Sequence, residues 1–421
     1  MVKVYIKTFG CSHNFADSEH MAGLLSEAGY DLSPKEDEAD LVIFNTCTVK
    51  TPTEHSLFNK LKNSSNNGKV VVAGCIPQSD PEKLEKFSLI GTKQIDKIVE
   101  VVDKTLSGER VSFLKNNVNP SLLLPKSRIN PLIEIVPINL GCLSKCTYCK
   151  TKAARGHLSS YPQEQIIQKI RESTSQGIKE VWLTSQDTAC YGLDKGTNIA
   201  KLINEICKIE KDFKIRLGMG NPDHIIKIIN ELIKAMKDEK VYKFLHIPIQ
   251  SGNNIVLKNM KREYTVEQYK EIIKKFKQEI PEITISTDII VGFPGETKEQ
   301  FEGSIDLIKD TKPDIVNLSR YWARDKTIAA RMKQLPVEEV MKRSEKLSRI
   351  ARKISQENKK RWIGWKGEVT INEKGKERNQ WKARTHSYLQ VTLKGEFRLR
   401  QKLKVEIESV TVHDLIAKAI N

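Results

Sequence analysis

Apolar and polar positions alternate over residues 2–8, and short apolar runs follow at 41–45 and 70–73. Each run ends in a cysteine-bearing loop (Cys11, Cys47, Cys75) and then a helix-like stretch. Strand, loop and helix repeated at this spacing predict an open α/β sheet of parallel strands joined by crossover helices, whose strand ends gather the three cysteines along one edge. Residues 116–131 (NNVNPSLLLPKSRINP) carry three prolines and little periodicity and read as a linker. Beyond it, β-like runs at 132–139, 181–184, 214–219, 243–249, 284–293 and 314–321 alternate with helix-like segments such as 164–175 and 266–278. That pattern predicts a partial parallel (β/α)6 barrel with its chemistry in the loops after the strands. A long basic helix is expected over 336–361, with Val340, Leu347, Ile350 and Ile354 at helical spacing. From Trp365 onward the period is mostly two, with runs at 367–371, 388–393 and 403–407, which predicts a small all-β domain. The expected division is 1–115, a linker at 116–131, 132–361 and 362–421. A chain of 421 residues is long enough for three cores.

Charge sharpens the picture at one end. Lys and Arg number 70 against 53 Asp and Glu, and residues 342–421 alone hold 21 basic and 9 acidic side chains. So local an excess suits a polyanion, most simply nucleic acid, with a Lys/Glu-rich solvated surface as the alternative. Trp362, Trp365, Trp381 and Tyr388 are interleaved with these charges, as single-stranded RNA requires, although a small domain also needs aromatics for its core. No basic-then-apolar leader and no run of eighteen apolar residues is present, so the expectation is a soluble, cytoplasmic protein with no membrane partner. Eight cysteines then read as thiolate ligands in a reducing compartment rather than as a disulfide framework.

The most specific signal is GCLSKCTYC at 141–149, which places Cys142, Cys146 and Cys149 in a CxxxCxxC loop directly after the first strand of the central domain. Three closely spaced thiolates can hold a cubane iron–sulfur cluster and leave its fourth iron open. That iron can chelate the amino and carboxyl groups of S-adenosylmethionine and deliver one electron to it. A zinc loop completed by His157 is the alternative, since zinc asks for four protein ligands. On spacing alone, Cys11, Cys47 and Cys75 are as well read as buried core residues as a second three-thiolate site. Cys207 falls in a helix-like segment and reads as core; Cys190 lies in a loop after a strand.

CxxxCxxC in a parallel-barrel context resembles the radical S-adenosylmethionine superfamily. GCLSKCTYCKTKAARG further resembles the methylthiotransferases, in particular their archaeal and eukaryotic branch acting on threonylcarbamoyladenosine in tRNA. TFGCSHNFADSE, NTCTVK, AGCIPQ, VWLTSQDTACYG, HIPIQSGNNIVLKNMKREYT and STDIIVGFPGET match as well, so the resemblance spans nearly the whole chain. It implies two [4Fe-4S] clusters, the second on Cys11, Cys47 and Cys75, and a C-terminal TRAM-type RNA-binding barrel. The implied partners are tRNA at its anticodon stem-loop, an electron donor and a sulfur source. The implied reaction methylates sulfur at the second cluster, generates a deoxyadenosyl radical at the first, and inserts a methylthio group at C2 of N6-threonylcarbamoyladenosine at position 37. Sister enzymes acting on isopentenyl-adenosine or on a ribosomal-protein aspartate, and a non-catalytic RNA-binding protein with a structural metal, are the rival readings.

Loops after the other strands are expected to cradle S-adenosylmethionine. The candidates are Ser185, Gln186 and Asp187, where an amide or carboxylate accepts from the cofactor's amino group, with Gln250 and Ser251. Gly292 and Gly295 would allow close backbone approach, and Arg155 would pair with the cofactor carboxylate. In one segment, 321–328 (YWARDKTI), this chain departs from the family. Relatives carry Pro-Arg-Pro-Gly-Thr-Pro after an aromatic run, and here only Arg324 and Thr327 remain.

Overall fold

The computed structural model describes residues 1–48, 51–63, 69–116 and 119–420; Val49 and Lys50 of the NTCTVK stretch and Asn117 and Val118 of the linker lie outside them. Six parallel strands form the first sheet: β1 (Lys3–Thr8), β2 (Asp31–Leu32), β3 (Leu41–Thr46), β4 (Val70–Gly74), β5 (Ser88–Gly91) and β6 (Ser112–Phe113), in the order β2-β1-β3-β4-β5-β6. Every residue of β3 and β4 is buried, because side chains of one face (Leu41, Ile43, Val71, Ala73) and of the other (Val42, Phe44, Val70, Val72) enter separate cores. Burial on both faces is why these strands read as continuous apolar runs. Strands β2, β5 and β6, not anticipated from the sequence, extend the sheet at both edges.

In the central region β7 (Ile133–Pro137) is followed by a two-residue antiparallel pair, β8 (Asn139–Leu140) and β9 (Ser159–Ser160). Then come β10 (Glu180–Thr184), β11 (Lys214–Leu217), β12 (Phe244–His246), β13 (Thr284–Val291) and β14 (Ile315–Arg320). Strands β11-β10-β7 and β12-β13-β14 form two parallel triplets. They are stitched by the bridge Ile215–Val241 and by the Gly220 N–H donating to the His246 carbonyl (3.0 Å). The six expected strands are all present as an open, partial barrel. The helix Val337–Lys360 lies beside β14, where Ser355 Oγ donates to the Asp314 carbonyl (2.6 Å). A closed barrel follows, β15 (Lys366–Lys374), β16 (Gln380–Arg384), β17 (Gln390–Lys394), β18 (Lys402–Val410) and β19 (Leu415–Ala419), in the order β15-β16-β17-β19-β18. Trp362 is in its core and Trp365 and Trp381 pack against it, whereas Tyr388 sits in the turn before β17 and faces the central domain. Among the described residues, no helix is long and apolar enough to cross a membrane.

Residues 119–131 thread between the first two sheets. Gly23 leaves room for them, since a Cβ there would lie 2.5 Å from the Lys126 nitrogen. Lys126 is buried with its ammonium 2.6 Å from Glu134 and 3.1 Å from Glu19. Beneath the same segment, His20 Nδ1 stands 3.2 Å from the Pro125 carbonyl. Burial, then the Lys126 and Lys169 ammonium groups, hold the His20 pKa down to about 3, against 6.5 for a free imidazole. Between those values the unfolded chain binds a proton that the folded chain refuses, so stability falls as pH drops through the window. Thermal unfolding of His20→Gln from pH 7 to pH 4 is expected to lose stability less steeply than wild type; equal slopes would contradict this.

The atypical loop is clamped to the first domain. Arg324 pairs with Glu54 (2.9 Å), Asp325 with Lys83 (2.6 Å) and Lys326 with Glu82 (2.6 Å). Lys326, at the place of the relatives' glycine, adopts the left-handed φ of +68°.

Candidate functional site

Cys11, Cys47 and Cys75 follow the ends of β1, β3 and β4, which the register Thr8–Asn45 and Thr46–Gly74 holds level. Gly10, at φ +110°, folds over Cys47, where a Cβ would lie 2.5 Å from the Cys47 Cβ. Asn14 is the hub of this edge. Its Oδ1 accepts from the Cys11 thiol (3.4 Å) and the Cys75 thiol (4.0 Å), and its Nδ2 donates to the Thr46 carbonyl (2.6 Å). Arg155 donates to the same Oδ1 (3.2 Å) and to Asp17 (2.6 Å). The Arg155 guanidinium is thus buried against Asp17 beside the first three cysteines. Burial raises the Cys75 pKa and the Arg155 charge opposes that rise.

The triplet loop is held from several sides. The β8–β9 pair closes its base, and Gly141 takes φ +69° because the backbone at 156–157 crosses behind it: a Cβ would lie 2.0 Å from the His157 carbonyl. The Thr147 N–H donates to the Met260 carbonyl (3.1 Å), and Tyr148 packs edge-on to Phe293. The Cys142 sulfur receives the Ser144 N–H (3.4 Å), and the Cys146 sulfur receives Arg262 Nη1 (3.2 Å). The N–H groups of Lys152 and Thr151 donate to Cys149, opposing the rise that burial imposes on it. The Cys190 thiol beside Cys142 helps hold the latter's pKa down to about 7. Sulfurs supplied with N–H donors are what an anionic cluster requires of its thiolates, and the donor set fits a cubane. Among the described residues no three His, Cys, Asp or Glu side chains close on one point for a single metal ion. A cubane does not ask for that, because each thiolate takes its own iron.

The loops after the other strands divide. Asp187 is fully buried and already engaged. One oxygen accepts from the Ala189 and Asn221 N–H groups (3.1 and 3.0 Å), the other from Asn221 Nδ2 (2.8 Å) and His224 Nδ1 (2.6 Å). These bonds fix Asn221, which in turn holds Arg262 (2.6 Å) against the triplet. At Gly292 a Cβ would lie 2.5 Å from a Val340 methyl, and the Gly292 N–H donates to Glu296 (3.0 Å). Gly295 has open space around it. Ser185 Oγ caps the Asp187 N–H (3.0 Å), and Gln250, at φ +72°, receives the Ile290 N–H on β13 (3.0 Å). Gln186 Oε1 and Ser251 Oγ are buried polar atoms with no partner among the described residues, which suits loops that await a polar ligand.

The two cysteine triplets share a wall. Ser12 Oγ, next to Cys11, lies 2.6 Å from Thr184 Oγ1 at the end of β10, and His13 Nδ1 lies 3.2 Å from Gln186 Nε2. Burial and the neighbouring Arg155 charge push the His13 pKa well down, so its ring is neutral. Asn14, Asp17, Asn221, His224 and Arg262 were not singled out from the sequence. Asn14, Asp17 and Arg262 lie inside matched stretches, and that position was their only signal.

Comparison with known proteins agrees with this geometry. The radical SAM superfamily model matches residues 136–308, and an uncharacterized protein family, UPF0004, matches residues 3–92. A probable threonylcarbamoyladenosine tRNA methylthiotransferase of Pyrococcus horikoshii is 47% identical, covering 94% of this chain and 96% of that protein. The human threonylcarbamoyladenosine tRNA methylthiotransferase is 42% identical over 92% of this chain and 69% of its own length. Among solved structures, the radical S-adenosylmethionine methyltransferase TsrM of Kitasatospora setae superposes with a TM-score of 0.54 at 12% identity, covering 76% of this chain and 73% of that one; the likeness is one of fold. The superfamily match and the fold together support S-adenosylmethionine and an iron–sulfur cluster as cofactors. The chain is an enzyme belonging to the threonylcarbamoyladenosine tRNA methylthiotransferase family of the radical SAM superfamily.

Proposed function

We propose that this enzyme inserts a methylthio group at C2 of N6-threonylcarbamoyladenosine at position 37 of tRNA. The observation that carries the reading is the wall between the two cysteine triplets. The chain leaving Cys149 runs six residues to Arg155, whose guanidinium reaches the Asn14 that touches Cys11 and Cys75. Two thiolate sites joined through one hydrogen-bonded wall suit a reaction that needs a radical source and a sulfur source together. When bound, one [4Fe-4S] cluster on Cys142, Cys146 and Cys149 supplies the electron for S-adenosylmethionine cleavage, and a second on Cys11, Cys47 and Cys75 supplies the place for sulfur. Arg262 holds Cys146, while Gln186 and Ser251 offer polar atoms to the cofactor. Residues 1–115 are then the second-cluster domain, 132–361 the radical core and 362–421 a TRAM-like RNA-binding domain. An electron donor, a sulfur source and a cytoplasmic setting complete the reading. Anaerobic incubation of iron- and sulfide-reconstituted enzyme with S-adenosylmethionine, dithionite and tRNA bearing threonylcarbamoyladenosine should yield the 2-methylthio nucleoside by mass spectrometry. Cofactor cleavage with no such product would defeat the reading.

Phosphate contact is expected in a cleft of about 500 Å³ between β14, the helix Val337–Lys360 and the C-terminal barrel, whose lining includes Arg352, Arg384 and His413. Arg352→Ala with Arg384→Ala should weaken tRNA binding and flatten the plot of log affinity against log salt by roughly 0.7 to 0.9 per lost phosphate contact. An unchanged slope would leave these charges as mere solvated surface.

A further inference from the structure

The strands of the open barrel turn alternate residues to opposite faces. Val181, Leu183, Ile215, Leu217 and Leu245 enter the main core, leaving Trp182, Arg216 and Phe244 on the other face. Arg216 is unusual there. Its guanidinium carbon stands 5.6 Å from the Trp182 ring centre, 5.5 Å from Phe244 and 5.6 Å from Tyr388, the last contributed by the C-terminal barrel. Its Nε is buried and has no hydrogen-bond partner among the described residues, and no described carboxylate pairs with the group. The nearby acids are engaged elsewhere. Glu180 accepts from Trp182 Nε1 (3.0 Å) and Asn372 Nδ2 (2.6 Å), and Asp288 is held by His246 (3.0 Å) and Asn317 (2.8 Å). Ring faces attract a cation but accept no in-plane N–H bond, so the cage holds the charge and leaves the Nε donor unsatisfied. The cleft that carries Arg352 and Arg384 is also lined by Phe244 and Tyr388, two of the three cage rings, so it borders the cage.

We propose that Arg216 receives the carboxylate of the threonylcarbamoyl side chain and thereby determines substrate specificity. The inference rests on the function proposed above. A guanidinium matches a carboxylate through two parallel N–H bonds, and beside ring faces that exclude water from one edge such a pair is strengthened. An isopentenyl group, which carries no charge, would leave the cation unpaired, and a site with an unpaired buried donor rejects the ligand that fails to satisfy it. A backbone phosphate is the other oxyanion of the substrate that a guanidinium binds by the same chemistry. Neutralising the side-chain carboxylate separates the two, because it removes the first contact and leaves the second untouched.

The test compares anticodon stem-loops carrying threonylcarbamoyladenosine or its neutral methyl ester, with kcat and KM measured for each under anaerobic turnover. Wild-type enzyme should prefer the acid by roughly a hundredfold in kcat/KM, mostly through KM. In Arg216→Gln that ratio should collapse toward one, and Arg216→Lys should restore part of it. A wild-type ratio near one, or a ratio that survives in both variants, would overturn the assignment. Equal losses on acid and ester in both variants would mark a phosphate contact and overturn it too. Failure of wild type to modify either substrate would remove the proposed function itself. Equal modification of both by wild type would leave that function standing and remove only the role of Arg216.

Discussion

Serine at Cys142, Cys146 or Cys149 should abolish cleavage of S-adenosylmethionine and remove about half of the iron. Cleavage needs an open iron beside three fixed ones, and a loop with two thiolates loses the cubane that provides it. The structure makes the loss specific. The loop is held by the β8–β9 pair, by the Thr147–Met260 bond and by Tyr148 on Phe293, none of which involves a sulfur atom. The backbone should therefore survive each substitution while cluster binding fails. Full cleavage in any single variant would remove that cysteine from the ligand set.

Replacing Cys11, Cys47 and Cys75 together with serine should divide the reaction. Deoxyadenosine should still form from S-adenosylmethionine, while the methylthiolated nucleoside falls below detection. The triplet and its supports from Ser144 and Arg262 lie outside the first sheet, so the cofactor half stays intact. The Arg155–Asp17 pair and the Asn14–Thr46 bond also remain, so the edge keeps its shape without its sulfurs. Normal iron content and normal product in the triple variant would make these cysteines ordinary core residues.

Much of this was legible in the chain because burial on both faces writes parallel strands as unbroken apolar runs. Residues 41–45 and 70–73 matched β3 and β4 to within a residue at each end, and all six central strands were read. Short or polar strands escaped for the converse reason. β16 (QWKAR) holds one buried residue out of five, so its period is faint, and β5 and β6 are four and two residues long. The cysteines were legible as positions after strands. The side chains that hold them were not, since Arg155 is 138 residues from Asp17 and Arg262 is 116 from Cys146. Docking of the first domain on the central one makes the first pair neighbours, and the folding of the central barrel makes the second. The partners of Asp187 were hidden for a related reason. Its loop placement was right, but its buried partners Asn221 and His224 come from the following strand–helix unit.

The central claim is chemical, and the most direct measurement is mass spectrometry of nucleosides from total tRNA of a strain lacking this gene. The 2-methylthio derivative of threonylcarbamoyladenosine should vanish while threonylcarbamoyladenosine itself accumulates. The wild-type gene should restore the derivative, and the Cys142→Ser gene should not. An unchanged level of the 2-methylthio nucleoside in the deletion strain would contradict the account.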